Sequence, residues 1–347
     1  MSNISPHIYW HSDSMDPCIA SIRLRVIKPV SYLRNIGMNI YTNEIPYDPE
    51  LHNVVLFSKS FGAEALSIAK IAKAKGKIII YDICDNVFAG KKSYKAARRS
   101  AAIEEMLNLA DHVVFTTEVL RQQIMERIPI GLVNTSIIPD GLDSFSADGH
   151  SYDDRAEKSL SRLSDFLVRH KGALRCIWFG KSQGRKSGIA HIQHAVRELE
   201  IFSRQHPVTL TVVSNHSLRY FMHSRGWRIP HHYEHWNSAS FGQILSMHDV
   251  AVIPIEQNDY TIGKTINRPA TAIMAGLGVV ADSIDAYEEL RAYIPLDNWQ
   301  SGLSHYCQTP PLQDPALIAA REYLQSRFGN DIIGSNWADL LIKFHEN

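Results

Sequence analysis

The 347-residue chain has no excess of either charge: 36 Lys and Arg stand against 36 Asp and Glu, a formal net charge of zero. The balance also holds within the first 149 residues, which carry 16 of each sign. A general duplex-nucleic-acid binder needs a strong basic footprint, so that class is excluded. Cysteine is scarce, and Cys18, Cys84, Cys176 and Cys307 form no CxxC pair. That excludes a zinc ribbon and a disulfide scaffold and points to a reducing compartment. No stretch reaches the roughly 18–20 apolar residues of a membrane span. The opening MSNISPHIYWHSDS lacks the basic-then-apolar order of a signal peptide, so a cytoplasmic protein is expected. What is present is 45% hydrophobic and 21% charged, the balance of a soluble globular protein. The length suits two domains of about 150 residues each.

Apolar runs alternate with helical patterns, the mark of βαβ units and parallel sheets. Strands are predicted at His7–Trp10, Asn39–Tyr41, Val54–Phe57, Lys77–Tyr81, Asp111–Thr116 and Ser136–Ile138, with helices at Ser21–Ile36, Ala63–Lys75 and Glu118–Ile128. After the Pro139-Asp140-Gly141 turn the chain becomes polar and acid-rich, and a linker is placed at 146–172. A second alternation then gives strands at Arg175–Phe179, Val208–Ser214, His231–Trp236, Val250–Pro254 and Gly278–Ala281. Helices are read at Ile189–Gln205, Phe241–Met247, Asn267–Ala275 and from Ala286. Residues 315–345 read as helical with a break near Gly329–Gly334. The expected architecture is α/β: two Rossmann-like, doubly wound domains facing a cleft, at 1–145 and 173–330, with a terminal helix at 331–347 that returns to the first domain. Ligands are expected at the carboxyl ends of the strands.

The strongest segment is DVAVIPIEQNDYTIGKTINRPATAIMAGLGVVADSIDAY, residues 249–287. A strand gives way to a polar loop with Lys264 and Thr265, then to a helix whose start carries Asn267 and Arg268. Backbone N–H groups at a helix start attract phosphate, and Lys and Arg add full charges, which suits a diphosphate held without a metal. A surface Lys and Arg on an ordinary βαβ unit fit the same spacing. The loop Trp178–Lys186 holds Gly180, Lys181, Gly184 and Arg185, a second strand-to-helix turn able to bring N–H groups against phosphate. In the first half, Asp82 and Asp85 close a strong apolar strand, suited either to a general base or to capping the turn and the next helix. Ser21, Arg23, Arg25, Lys59 and Asn86 lie on the same expected rim, for an acceptor or phosphate contact.

These motifs, in this order, resemble the bacterial GT-B glycosyltransferases of the family 4-like, group 1-like kind. Gly263, Lys264, Thr265, Asn267 and Arg268 match a GK[ST]xN[RK] loop. Met274-Ala275-Gly276 and Val279-Val280-Ala281 match the following MAxGxPVVA-like turn, with Gly278 where Pro is usual, and Tyr287 matches a later tyrosine. YDICDN, ADHVVFTT, PDGLD and WFG fall in the expected sequence, so the resemblance spans most of the chain. It implies transfer of a sugar from a nucleotide-sugar donor to a glycan, lipid-linked or other hydroxyl acceptor in bacterial surface polysaccharide or glycoconjugate synthesis, with neither metal nor cofactor. The chain departs at one point. Retaining members carry two glutamates eight residues apart, and alignment of the turn puts Gly263 and Thr271 there; Glu256 lies too early to replace either. The stereochemical outcome stays open. So do a nucleotide-sugar epimerase and a non-catalytic module that binds a glycan or a partner.

Two further signals carry less. In a strand, His231 and His235 would share a face but sit roughly 13 Å apart, too far for one ion, so no metal is expected. His235 and Trp236 suit a donor-base pocket, an indole offering a stacking face. Lys91, Lys92, Lys95, Arg98 and Arg99 form a basic run that suits a solvated helix face, or peripheral contact with anionic lipid on the inner membrane face.

Overall fold

A computed structural model describes residues 6–89, 93–128, 134–143, 145, 154–182 and 188–344. Gly184 and Arg185 of the first glycine loop, and Lys91 and Lys92 of the basic run, lie outside these, as does the side chain of Lys95. The chain forms two compact units. Unit 1 comprises the residues up to Leu142, Ile262–Thr265 and those from Ser326 on; unit 2 comprises Asp143–Thr261 and Ile266–Gln325.

Unit 1 is built on six parallel strands: β1 His7–His11, β2 Asn39–Thr42, β3 Val54–Ser58, β4 Ile78–Ile83, β5 His112–Phe115 and β6 Asn134–Ile137. Their order is β2-β1-β3-β4-β5-β6. Runs such as VVLFS and IIIYDI are apolar on both faces because helices cover both, as a parallel sheet requires. One face presents Tyr9, Val55, Phe57, Ile79 and Tyr81 to the helices Ala63–Ala74, Tyr94–Leu109 and Glu118–Arg127. The other presents Ile8, Trp10, Leu56 and Ile80 to Val26, Val30 and Leu33 and to Trp337 and Leu341 of the terminal helix Asn330–Lys343. That helix therefore completes the unit 1 core. It approaches the helix Lys28–Asn35 at Gly334, where an added Cβ would fall 2.3 Å from the Tyr32 ring.

Unit 2 has five parallel strands: β7 Leu174–Phe179, β8 Val208–Ser214, β9 His231–His235, β10 Val250–Ile253 and β11 Gly278–Ala281, in the order β11-β10-β7-β8-β9. The expected α/β class with two Rossmann-like units is what the chain adopts. The strand order reverses between β1 and β3 in unit 1 and between β7 and β10 in unit 2, the points where such sheets hold ligands.

Three details differ from the sequence expectation. Residues 154–169, read as linker, form a helix of unit 2 whose Ala156, Leu160, Leu163, Phe166 and Leu167 are buried at helical spacing. The stretch Ser21–Ile36 is interrupted by a π-helical turn at Arg23–Ile27, which carries Arg25 inward. The helices Ser217–Ser224 and Trp299–Gln308 were not anticipated.

Candidate functional site

The carboxyl edge of the unit 1 sheet gathers most of the first-half candidates, but as two distinct groups. The buried group centres on Asp82 at the end of β4. Its carboxylate takes a bidentate ion pair from Arg25 and a 2.7 Å hydrogen bond from the Ser58 hydroxyl, which in turn accepts from the Trp10 indole at 3.0 Å. Arg25 is 1% exposed and also donates to the Pro139 carbonyl at 3.0 Å and lies 3.6 Å from Asp140. Thr265 donates to Asp140 at 3.0 Å, tying the GK loop into this network. The sequence reads Asp82 either as a general base or as a cap of the turn, and Arg25 as a rim residue suited to an acceptor or phosphate contact. They are instead consumed by each other and by the backbone, because a carboxylate and a guanidinium this deep are tolerable only when paired.

Asp85, in the loop after β4, is different. It accepts from both Lys59 and Lys264 and keeps 20% of its side chain exposed. Burial alone would raise its pKa, but the two ammonium groups outweigh this and hold it below the usual carboxylate range. A carboxylate held this strongly is a poor proton acceptor at neutral pH, and a good anchor for two cations. Lys59 sits at φ +56°, a left-handed conformation that non-glycine residues rarely adopt, directly after β3. Lys264 was expected with the donor domain; it belongs to unit 1. Thr117 donates to the Gly263 carbonyl at 3.2 Å. A Cβ at Gly263 would lie 2.8 Å from Gln123 and 3.4 Å from the Leu120 Cα. The nearer of these is the flexible end of the Gln123 side chain, so the packing here is close without closing the position to a side chain.

The remaining rim residues are accounted for locally. Arg23 donates to the Pro17 carbonyl at 2.6 Å, Ser21 is half-buried, and Asn86 is buried, its amide oxygen accepting from the Phe88 and Ala89 N–H groups at 3.2 Å each. Burial pushes the Cys84 thiol up to about 12, so it stays protonated. One cluster escaped the sequence reading. At the end of β1, His11 Nδ1 lies 2.6 Å from the Ser60 hydroxyl, and Ser60 donates to Asp13 at 3.0 Å. Burial lowers the His11 pKa. The only hint in the sequence is that HSD follows a short apolar run.

In unit 2 the strand-order reversal brings the end of β7 beside the helix that follows β10. Gly180 closes β7 and packs on the Trp178 ring, 3.1 Å from where a Cβ would be, with the Arg268 guanidinium carbon 3.9 Å away. Arg268 lies in the first turn of the helix Asn267–Met274, whose N-terminus carries no side-chain cap. Among the described residues its buried Nη1 has no hydrogen-bond partner. An unpartnered guanidinium nitrogen is costly and rare, and calls for an anionic acceptor. Lys181 is exposed one residue on. Thr271, at the second glutamate position, is buried in the same helix. His235 ends β9 and Trp236 follows it at the same edge of the sheet, His235 exposed and Trp236 half-buried against Phe241. His231 instead lies 2.6 Å from the Tyr220 hydroxyl, and His232 pairs with Glu234 at 2.7 Å. In the basic run, Arg99 donates to the Val87 carbonyl at 3.0 Å and Arg98 is exposed.

No family model matches the chain, and no curated protein matches it. Solved structures do. HepE of Anabaena, in complex with UDP and glucose, is 13% identical with a TM-score of 0.65, covering 97% of this chain and 99% of its own. WaaG, a glycosyltransferase involved in lipopolysaccharide biosynthesis, is 14% identical with a TM-score of 0.64, covering 96% and 99%. An alpha,alpha-trehalose-phosphate synthase (UDP-forming) from Burkholderia vietnamiensis is 12% identical with a TM-score of 0.60, covering 98% and 100%. The fold is that of the GT-B glycosyltransferases.

Proposed function

We propose that the protein is a glycosyltransferase that takes a sugar from a nucleotide-sugar donor and passes it to a hydroxyl of a glycan or lipid-linked acceptor. The observation that carries this reading is Arg268, whose buried Nη1 has no acceptor among the described residues and lies by Gly180 at the switch point of the unit 2 sheet. The kinship of fold with HepE bound to UDP and glucose, and with WaaG, supports the donor and acceptor classes. Unit 2 holds the diphosphate through Arg268, the amides at the start of its helix and the Gly180-Lys181 turn, with Asn267 alongside. His235 and Trp236 flank the base. As the bond to the anomeric carbon breaks, negative charge grows on the phosphate oxygen, and fixed donors there stabilise the transition state more than the ground state.

The roles of the two aspartates follow from their partners. Asp82 braces Arg25 and the end of β4. Asp85 holds Lys59 and Lys264, two cations that unit 1 presents to a phosphate-bearing substrate. In this reading Ser21, Arg23 and Asn86 serve the acceptor, and Arg98 and Arg99 belong to a face suited to an anionic membrane. Among the described residues no helix is long and apolar enough to cross a bilayer. A thermal-shift panel of nucleoside diphosphates and nucleotide sugars tests the reading, since a ligand bound only by the folded state raises the melting temperature. One base should stand out, and Arg268→Ala should erase its shift. If no nucleotide shifts the transition, the reading fails. Conversion of donor into an epimer without acceptor would favour an epimerase instead.

A further inference from the structure

The opposite edge of unit 2, at the amino ends of β7, β8 and β9, holds a cavity of about 420 Å³ lined by Arg169, His170, Lys171, Arg228, Ser203 and backbone around Pro207 and Pro230. No carboxylate lines it. Arg169, Lys171 and Arg228 are exposed and make no ion pair among the described residues. Glu200 accepts from the Arg228 backbone N–H at 2.8 Å, and Arg169 Nε donates to the Asp165 carbonyl at 3.3 Å. From residue 201 to 233 the chain contains no Asp or Glu but has four arginines.

Basic residues also collect where helices end, and two helices, Asp154–Arg169 and Ile192–Phe202, end here. Each helix C-terminus supplies about half a negative charge, so the pair offsets roughly one of the three full positive charges. A surplus remains, concentrated on a concave surface. The guanidinium forks of Arg169 and Arg228 suit phosphate oxygens, and Lys171 adds a point charge. The helix Ser217–Ser224, which returns from the carboxyl edge of β8 toward this side, leaves Leu218, Phe221 and Met222 exposed on one stripe.

We infer that this cavity is a second anion site that takes a phosphate group, free or carried on a lipid headgroup, separate from the donor site at the other edge of the sheet. The inference does not rest on the transferase reading. Hydrogen exchange with inorganic pyrophosphate at low ionic strength tests it on the whole chain. Segments 169–173 and 226–231 should gain protection, and added salt should remove it as the exposed charges are screened. Arg169→Gln/Lys171→Gln/Arg228→Gln should lose that protection with pyrophosphate affinity at least about tenfold weaker, whereas Arg268→Ala should retain it. Single Lys171→Gln and Arg228→Gln variants guard against misfolding of the triple one, and should show graded losses. Phosphatidylglycerol vesicles form a second arm, compared with phosphatidylcholine. Protection there of the same segments together with 217–224 identifies a lipid headgroup; protection by pyrophosphate alone identifies a soluble phosphate. If neither probe protects the cavity in the wild type, or the triple variant binds as well as wild type, the site does not exist.

Discussion

Replacing Arg268 with alanine should damage function and spare stability, and the two effects have separate origins in the structure. Arg268 is half-buried and its Nη1 has no acceptor among the described residues, so the unliganded fold bears the desolvation of that group without a compensating hydrogen bond. An unsatisfied buried polar group costs about 1–3 kcal/mol. Alanine removes that cost and also removes the packing of the aliphatic stem, about 1–2 kcal/mol in the other direction. These nearly cancel. At about 2–4 °C per kcal/mol, the melting temperature of unliganded Arg268→Ala should stay within roughly 5 °C of wild type. Turnover should not. Loss of a preorganised donor at the developing phosphate charge commonly costs about 3–4 kcal/mol, or roughly a hundred- to a thousandfold. Arg268→Lys should recover only part of this, because an ammonium keeps the charge and loses the fork. The assay is initial-rate release of nucleoside diphosphate, paired with a thermal melt of the same preparations. Near-normal turnover in Arg268→Ala would refute the phosphate assignment. A melting temperature lowered by more than about 10 °C would show instead that the residue is structural, and that its orphaned nitrogen is misread.

Four other outcomes follow. Lys264→Ala should slow turnover by about a hundredfold while leaving the melt nearly unchanged, since Lys59 still pairs with Asp85; normal rates would place the GK loop outside the site. Asp82→Asn should behave oppositely, costing about 3–5 kcal/mol in a urea melt by stranding the buried Arg25, and equal stability would restore a catalytic role to Asp82. His248 donates from Nδ1 to the Ile244 carbonyl and accepts at Nε2 from Thr211, both at 2.7 Å, and burial lowers its pKa to about 4. The unfolded chain therefore takes up this proton first as pH falls from about 6.5, so stability should drop by about 3 kcal/mol by pH 4, and His248→Gln should flatten that part of the profile in urea melts. Gly334→Ala should cost about 1–3 kcal/mol by forcing its new methyl into Tyr32, less about 1 kcal/mol of helix propensity, and Tyr32→Ala in the same chain should relieve it.

The strands were legible because their burial on both faces writes an unbroken apolar run, which no neighbour in space is needed to interpret. The helix at 154–169 was hidden by its acid-rich start, a composition that also suits a linker. Its buried positions nevertheless recur at Ala156, Leu160, Leu163 and Leu167, and acidic residues favour the first turn of a helix. The helix Trp299–Gln308 was hidden by Gly302, which reads as a breaker. There the glycine serves a close approach: a Cβ would stand 2.8 Å from Pro295 and 2.9 Å from Val280.

The site was legible as a set of residue types and illegible as a set of partners. Asp82 and Asp85 stand three residues apart at the end of one strand, and local pattern gives them the same role. Their difference is made by Arg25, 57 positions away from Asp82, and by Lys264, 179 positions away from Asp85. One carboxylate receives a guanidinium and a hydroxyl and becomes scaffold; the other receives two ammonium groups and becomes their anchor. The same non-local pairing, with the Thr117 bond to the Gly263 carbonyl, sets Lys264 in unit 1 and not in the unit its motif suggested. The segment Ile262–Thr265 thereby belongs to unit 1, and Asp85 fixes where the Lys264 ammonium stands.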